Sequence, residues 1–386
     1  MTAVYEGFAV ETTDELIFTV KGLVHPPDRV IAYLRYLPDP QGDRERDGVR
    51  YRRVYHFDEQ QTILQARYPE YLTYDPVFGV QLQSVPRRLI RTVYDPCRHL
   101  AALRRRGPAD RVEEHVLGLT SLLQEAAAVP WENLGVSGSV MIGTHRQDSD
   151  IDLIIYGEAA GRSIHRALRR LLDDPTAAVR RPNREELAAL HAMHRTDTPL
   201  SFADFARLQA RKVNEGRFRG REYFIRFVKR PPLFSPSPDP EGAPAAPGAP
   251  TASGMGEDRN KRETYGDRRY ERLGTATIQA RVTDDRDAIF TPCRYGVTDV
   301  TFQDKPPVAN LQEIVSFRGR FSEQVQIGEQ AIAQGNLERV VLWSGATYHR
   351  LVVGGRAGDY LSSFSPSPPS RGSPGCAGRP GCVGNG

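Results

Sequence analysis

The chain has 386 residues with 52 Lys and Arg against 48 Asp and Glu, a formal net charge of +4, and is 39% hydrophobic and 26% charged. That is a globular composition with length for two or three domains, and no apolar run approaches the roughly 18 residues of a membrane span. The near balance of charge does not itself demand a nucleic-acid partner. Cys97, Cys293, Cys376 and Cys382 form no Cys-x-x-Cys pair, so neither a disulfide framework nor a zinc site is implied. The N-terminus lacks the basic-then-apolar pattern of a secretory signal, and a cytoplasmic protein with no membrane partner is the expectation.

Residues 1–107 read as an N-terminal mixed α/β domain. Strand-like runs at Leu16 to Val20, Arg29 to Tyr36 and Val49 to Phe57 are separated by His25-Pro26-Pro27-Asp28 and Pro38-Asp39-Pro40-Gln41-Gly42. A polar or helical passage runs on through Tyr71, and Leu100 to Arg106 reads as a short helix closed by Gly107-Pro108. Lys21, His25 and Arg29 cluster here. They read first as a turn with solvated charges and second as groups reaching a phosphate or substrate from outside the next domain.

A second domain is expected over 108–232. Val112, Val116, Leu119, Leu122 and Leu123 recur at helical spacing, with Asp110 as a cap and Pro130 as the stop. Leu134 and Val136 begin a strand that turns at Gly138-Ser139 into a short helical segment, and a further strand opens with Asp150 and Asp152. Strand alternation puts both aspartates on one face and Ile151, Leu153 and Ile155 on the other. Two carboxylates side by side on a rigid strand suit the divalent metals of in-line phosphoryl or nucleotidyl transfer. A P-loop is excluded because Thr144 and His145 follow Gly143 where Lys and Ser or Thr are needed. A calcium loop starting at Asp148 is excluded because Leu153 and Ala159 stand where glycine and glutamate are required.

Ser163 to Leu172 reads as an amphipathic helix whose Arg162, Arg166, Arg169 and Arg170 form a solvated face. Asn183, with Glu185 and Glu186, starts a helix to about His194, and Phe202 to Arg211 forms another. Residues 207–230 hold nine Arg or Lys against Glu215 and Glu222, so 9 − 2 = +7 locally. They end in a strand with Glu222, Phe224, Arg226 and Val228 on one face. Such a stretch is either structural or the concentrated positive charge that a triphosphate or nucleic-acid backbone needs.

Residues 233–263 are a Pro/Gly/Ala linker, disordered by composition, and 362–386 a tail of the same kind. Between them, 264–361 alternates apolar and polar residues in short runs, which predicts a small β-rich domain, with a barrel as one form it can take. Its Ser316-Phe317-Arg318-Gly319-Arg320-Phe321 reads as a hairpin with solvated arginines, or as a pattern able to stack on bases.

The stretch Gly138-Ser139-(x)10-Asp150-Ile151-Asp152, with Gly143, Asp148, Ser149 and Leu153, resembles the signature of the DNA polymerase β-like nucleotidyltransferase superfamily, particularly its minimal nucleotidyltransferases. The resemblance covers about two dozen residues. It implies an α+β fold in which a polymerase β-like core, a small mixed sheet with helices, is flanked by the N-terminal mixed domain and the β-rich C-terminal one. It implies that Asp150 and Asp152 are catalytic ligands of Mg²⁺ or Mn²⁺, with a third carboxylate from a neighbouring strand. Glu222 is the candidate, although the family's place, two residues before an arginine on the same strand face, is held by Phe224.

Gly138 and Ser139 would face the phosphates of a nucleoside triphosphate such as ATP, with Arg146, Arg226 and Lys229 as further phosphate partners. The implied reaction transfers a nucleoside monophosphate to an acceptor hydroxyl and releases pyrophosphate. The acceptor stays open between RNA or another nucleic acid, a small molecule and a protein hydroxyl, the last being AMP transfer as in minimal relatives. A non-catalytic nucleotide sensor or adaptor is the alternative from another class. More loosely, the outer segments resemble those of uncharacterised archaeal-type predicted nucleotidyltransferases, which adds an architecture and no acceptor.

Overall fold

The computed structural model describes residues 4–194, 200–230 and 263–364. Apart from Glu263, the expected linker lies outside the described residues, as does the expected tail from residue 365. Within the described residues the chain is a mixed α+β protein of three sheets and seven α-helices.

The N-terminal sheet is built from β1 (Ala9–Thr12), β2 (Ile17–Val20), β3 (Arg29–Pro38), β4 (Arg44–Arg46) and β5 (Val49–Arg53), then helix α1 (Phe57–Arg67), and β6 (Leu72–Asp75), β7 (Val80–Pro86) and β8 (Ile90–Tyr94). Its strands run β4-β5-β3-β2-β1-β8, with the β6–β7 hairpin attached to β3. The strand expected to reach Phe57 stops at Arg53, and Phe57 opens α1 instead. Helix α2 (Pro96–Arg106) is capped by the Asp95 carboxylate, which accepts from the Cys97 and Arg98 amides, and ends at Gly107.

The central domain holds α3 (Arg111–Ala127), β9 (Leu134–Val136), α4 (Gly138–Ile142), β10 (Ile151–Tyr156), α5 (Glu158–Asp173), β11 (Val179–Arg180), α6 (Arg184–His194), α7 (Phe202–Gln209), β12 (Glu215–Phe218) and β13 (Arg221–Val228). Its sheet runs β11-β12-β13-β10-β9 and is mixed, because only the β10–β13 pair is parallel. Asp110 caps α3 through the Val112 and Glu113 amides. At α6 the Glu186 amide donates to Asn183 Oδ1 (2.9 Å) while the Asn183 amide donates to Glu186 Oε2 (2.8 Å), a reciprocal capping box.

Strand β10 is covered on both faces. Ile151, Leu153 and Ile155 join α3 and α5 in one core, while Ile154 and Tyr156 join the core of the N-terminal sheet. Fully burying each such aliphatic side chain contributes about 1.5–3 kcal/mol, so the strand is fixed from both sides. Tyr156 donates its hydroxyl to the Glu6 carbonyl (3.0 Å), and Gly7 lies so close that a β-carbon there would be 2.0 Å from Ile154 Cδ1. The N-terminal domain therefore caps the aspartate-bearing face beyond Asp152 and leaves only the start of the strand open.

The C-terminal domain comprises β14 (Arg268–Asp284), β15 (Cys293–Phe302), β16 (Leu311–Ser316), β17 (Gln330–Leu342), β18 (Thr347–Val352) and β19 (Tyr360–Phe364). The path β14-β15-β16-β18-β17 returns on itself through a β14–β17 pairing, which makes the sheet barrel-like, and β19 adds to β17. The residues expected to begin the tail are thus the last three of a strand. Helix α5 docks against this domain: His165 Nε2 lies 2.7 Å and Arg169 Nη2 3.3 Å from Glu323 Oε1, and Arg162 donates to the Arg286 carbonyl (2.8 Å). Two of the four arginines expected on a solvated face therefore belong to a domain interface.

Candidate active site

The antiparallel β9–β10 pairing brings the Gly138 turn onto the start of β10, with the Ser137 amide donating to the Asp152 carbonyl (2.8 Å). Gly138 is left-handed (φ +63°), and a β-carbon there would lie 2.0 Å from Asp152 Oδ2. Only glycine lets the backbone come this close to the carboxylate. Ser139 is buried in the first turn of α4, and the Ser137 side chain makes no cap bond to the helix.

The loop that presents Asp150 is tied down at several points. Gly143 (φ +79°) ends α4, Arg44 donates to the Thr144 carbonyl (3.2 Å), and the Arg146 amide donates to Ser149 Oγ (2.9 Å). Arg221 Nη1 donates to the carbonyls of Gln147 (2.9 Å) and Ser149 (2.5 Å). Asp150 is exposed just before β10 and Asp152 is half-buried within it.

Among the described residues neither aspartate has an ion-pair partner. Burial pushes the Asp152 carboxyl up to about 6, the neighbouring Asp150 charge adds to the rise, and Arg226, Arg35 and Arg53 oppose it. Two carboxylates that repel each other, with no side-chain cation in contact, form a donor set that fits a divalent metal ion.

Behind them Glu6 is wholly buried, accepts from Lys21 Nζ (3.2 Å) and the Gly22 amide (2.8 Å), and forms an ion pair with Arg226 Nε (3.4 Å). Lys21 is thus held by the carboxylate that also pairs with Arg226. The other two members of its cluster bond elsewhere. His25 is held down to about 4, chiefly by burial, and its Nδ1 accepts from the Ile31 amide (3.2 Å). Arg29 bonds Ser84 Oγ and the Glu70 carbonyl, each at 2.8 Å.

Of the remaining expected site residues the structure brings Arg226 to the aspartate face and withholds three. Glu222 does not join Asp150 and Asp152: its Oε1 pairs with Arg217 Nη2 (2.8 Å) across the β12–β13 register. No group of three His, Cys, Asp or Glu suited to a metal occurs among the described residues. The neighbour of Asp152 on β13 is Phe224, whose ring backs onto Gly319, where a β-carbon would be 2.3 Å from its Cζ. Arg146 is engaged by Asp43 and Asp148, both at 3.5 Å. Lys229 alternates to the other face of β13 and pairs with Asp287 at 2.6 Å.

The basic stretch 207–230 is largely neutralised within the chain. Arg211 pairs bidentately with Glu329 (2.7 and 2.8 Å), Lys212 is buried and donates to the Arg320 carbonyl (2.6 Å), and Arg217 pairs with both Glu186 and Glu222. The local +7 counts cations whose partners come from elsewhere in the sequence. Conversely, Arg35 and Arg53 act on Asp152 from the N-terminal sheet without having been singled out from the sequence. The alternation Tyr33, Arg35 on β3 was the available signal, since it sets a polar and aromatic face against the buried Leu34 and Tyr36.

One relative is found by comparison. The chain is 26% identical over 354 residues to an uncharacterised protein of Methanocaldococcus jannaschii, covering 89% of this chain and 94% of that one. No family model and no solved structure matches. The similarity extends well beyond the two dozen residues around the aspartates and names no activity.

Proposed function

We propose that the chain is a divalent-metal-dependent nucleotidyltransferase, which moves a nucleoside monophosphate from a nucleoside triphosphate to an acceptor hydroxyl and releases pyrophosphate. The observation that carries this reading is the meeting of the two motif halves: left-handed Gly138 pressed against Asp152, with Asp150 beside it and neither carboxylate ion-paired among the described residues. Asp150 and Asp152 would hold the metal. A divalent cation bound there supplies neutralisation of phosphate charge and a lowered pKa for the attacking hydroxyl.

The chain's own residues do the positioning. Gly138 clears the approach to the amides at the start of α4, and Arg226, held by Glu6, adds positive potential on the same strand face. An in-line displacement of this kind needs orientation and charge stabilisation rather than a covalent intermediate on the protein. The test incubates the purified full chain with labelled nucleoside triphosphates, Mg²⁺ or Mn²⁺, and cell extract. Label is expected in a macromolecule or metabolite, which also identifies the acceptor as nucleic acid, small molecule or protein. Turnover retained by Asp150→Asn and Asp152→Asn variants would exclude the assignment.

Phe224 in the place next to Asp152 favours a second reading, a nucleotide-binding sensor or adaptor that transfers nothing. Nucleotide binding without pyrophosphate release across a broad acceptor screen would select it.

A further inference from the structure

The cations around the aspartates are of two kinds. Lys21 and Arg226 are matched to Glu6, and Arg146 to Asp43 and Asp148. Arg35 and Arg53 have no carboxylate within ion-pair distance among the described residues. Their guanidinium carbons lie instead over the ring of Tyr55, 4.6 and 4.1 Å from its centre, and that ring is 52% exposed. A cation–π contact fixes a guanidinium in place without cancelling its charge.

Their location is set by packing. Tyr36, paired with Arg53 across β3 and β5, packs on Met141 and Ile142 of α4, the helix that starts at Gly138. The opposite wall comes from the barrel. There Arg318 is exposed and likewise without a carboxylate partner, and the next residue, Gly319, rests on Phe224 beside Asp152. Burial raises the pKa of the Tyr33 hydroxyl, two residues before Arg35 on β3, and the Arg318 charge opposes that rise. Two guanidinium groups without acid partners among the described residues thus act on Asp152 from the N-terminal sheet, and Arg318 of the barrel adjoins Gly319, which rests on Phe224, the β13 neighbour of Asp152.

We propose that Arg35, Arg53 and Arg318 form a subsite for the phosphate groups of the substrate, so that both outer domains complete the site. The planar guanidinium suits bidentate phosphate recognition, and three of them without acids favour a polyanion over a neutral acceptor. The phosphates belong to the triphosphate or to the backbone of a nucleic-acid acceptor. The role in transfer rests on the nucleotidyltransferase reading, whereas the binding itself does not.

The test uses the full chain and two probes in Mg²⁺ buffer: inorganic tripolyphosphate by calorimetry and a fluorescein-labelled single-stranded RNA by anisotropy across a salt series. An Arg35→Ala/Arg53→Ala variant should weaken one probe about tenfold or more, and Arg318→Ala, an exposed change outside any core, should weaken the same probe. For RNA the slope of log affinity against log salt should fall by about 0.7 per arginine removed. Loss confined to tripolyphosphate assigns the subsite to the nucleotide, and loss confined to RNA assigns it to the acceptor. Binding of both probes unchanged relative to the wild type and an Arg105→Ala control, or absent from the wild type, overturns the proposal. RNA binding that survives in Asp150→Asn/Asp152→Asn, whether or not the wild type releases pyrophosphate, separates this result from the fate of the enzymatic reading.

Discussion

Gly138 and Asp152 leave no room for a side chain between them, because a β-carbon on Gly138 would sit 2.0 Å from Asp152 Oδ2 and 2.9 Å from its Cβ. The close contact fixes where the carboxylate points, and the left-handed backbone (φ +63°) adds a conformational preference for glycine. Gly138→Ala should destabilise the protein by about 1–3 kcal/mol in urea titrations, from backbone strain and the displaced carboxylate. It should also weaken Mn²⁺ binding. A variant with wild-type metal affinity would contradict the geometry.

Asp152 makes stability depend on pH in a stated direction. Its folded pKa of about 6 lies above the ordinary 3.8, so the stabilising contribution is full below about pH 4 and is lost as pH rises through 6. Ionisation then costs roughly 2–3 kcal/mol in the metal-free protein. Asp152→Asn should melt higher than the wild type at pH 8 in chelator, and the advantage should vanish near pH 4. Mn²⁺, which needs the ionised carboxylate, should raise the wild-type midpoint and leave the variant where it is. Melting curves at several pH values check both, and a difference that does not change with pH refutes the account.

Glu222 is an exposed partner of Arg217. Glu222→Gln should therefore change stability by less than about 1 kcal/mol and leave Mn²⁺ affinity and any pyrophosphate release intact. A loss of metal binding comparable with that of Asp150→Asn would show that the carboxylate swings into the site.

Glu6 tests how the N-terminal domain supports the site. Removing it leaves Lys21 without its carboxylate and frees Arg226 beside Asp152. Glu6→Ala should cost about 3–5 kcal/mol, as for breaking other buried ion pairs. Chemical denaturation measures it, and a cost below about 1 kcal/mol would mean that water replaces the carboxylate.

Features whose partners are close in sequence were legible. Asp110 before α3 and the Asn183–Glu186 box before α6 are caps formed within three residues, and both occur as expected. The Gly138 turn and the alternation Ile151, Leu153, Ile155 likewise need only a local rule. Strands β6 and β7 were not legible. Six of their eleven residues, Thr73, Tyr74, Asp75, Gln81, Gln83 and Ser84, are polar or amphipathic, so no apolar run marks them, and they pair as a hairpin on the edge of β3.

The sequence by itself determined the acid pair and its turn, because Gly138, Asp150 and Asp152 are joined by one short strand–helix–strand unit whose chirality and alternation are local. Only the tertiary structure decided which charges surround that pair. The stretch 207–230, basic in any sequence window, meets Glu329, Glu186 and Asp287 from distant segments and is neutralised. Arg35 and Arg53, over eighty residues before the motif, meet Tyr55 and, among the described residues, no acid. Charge compensation acts through space, so which cations meet an acid is fixed by the packing of the three sheets and not by the order of the chain.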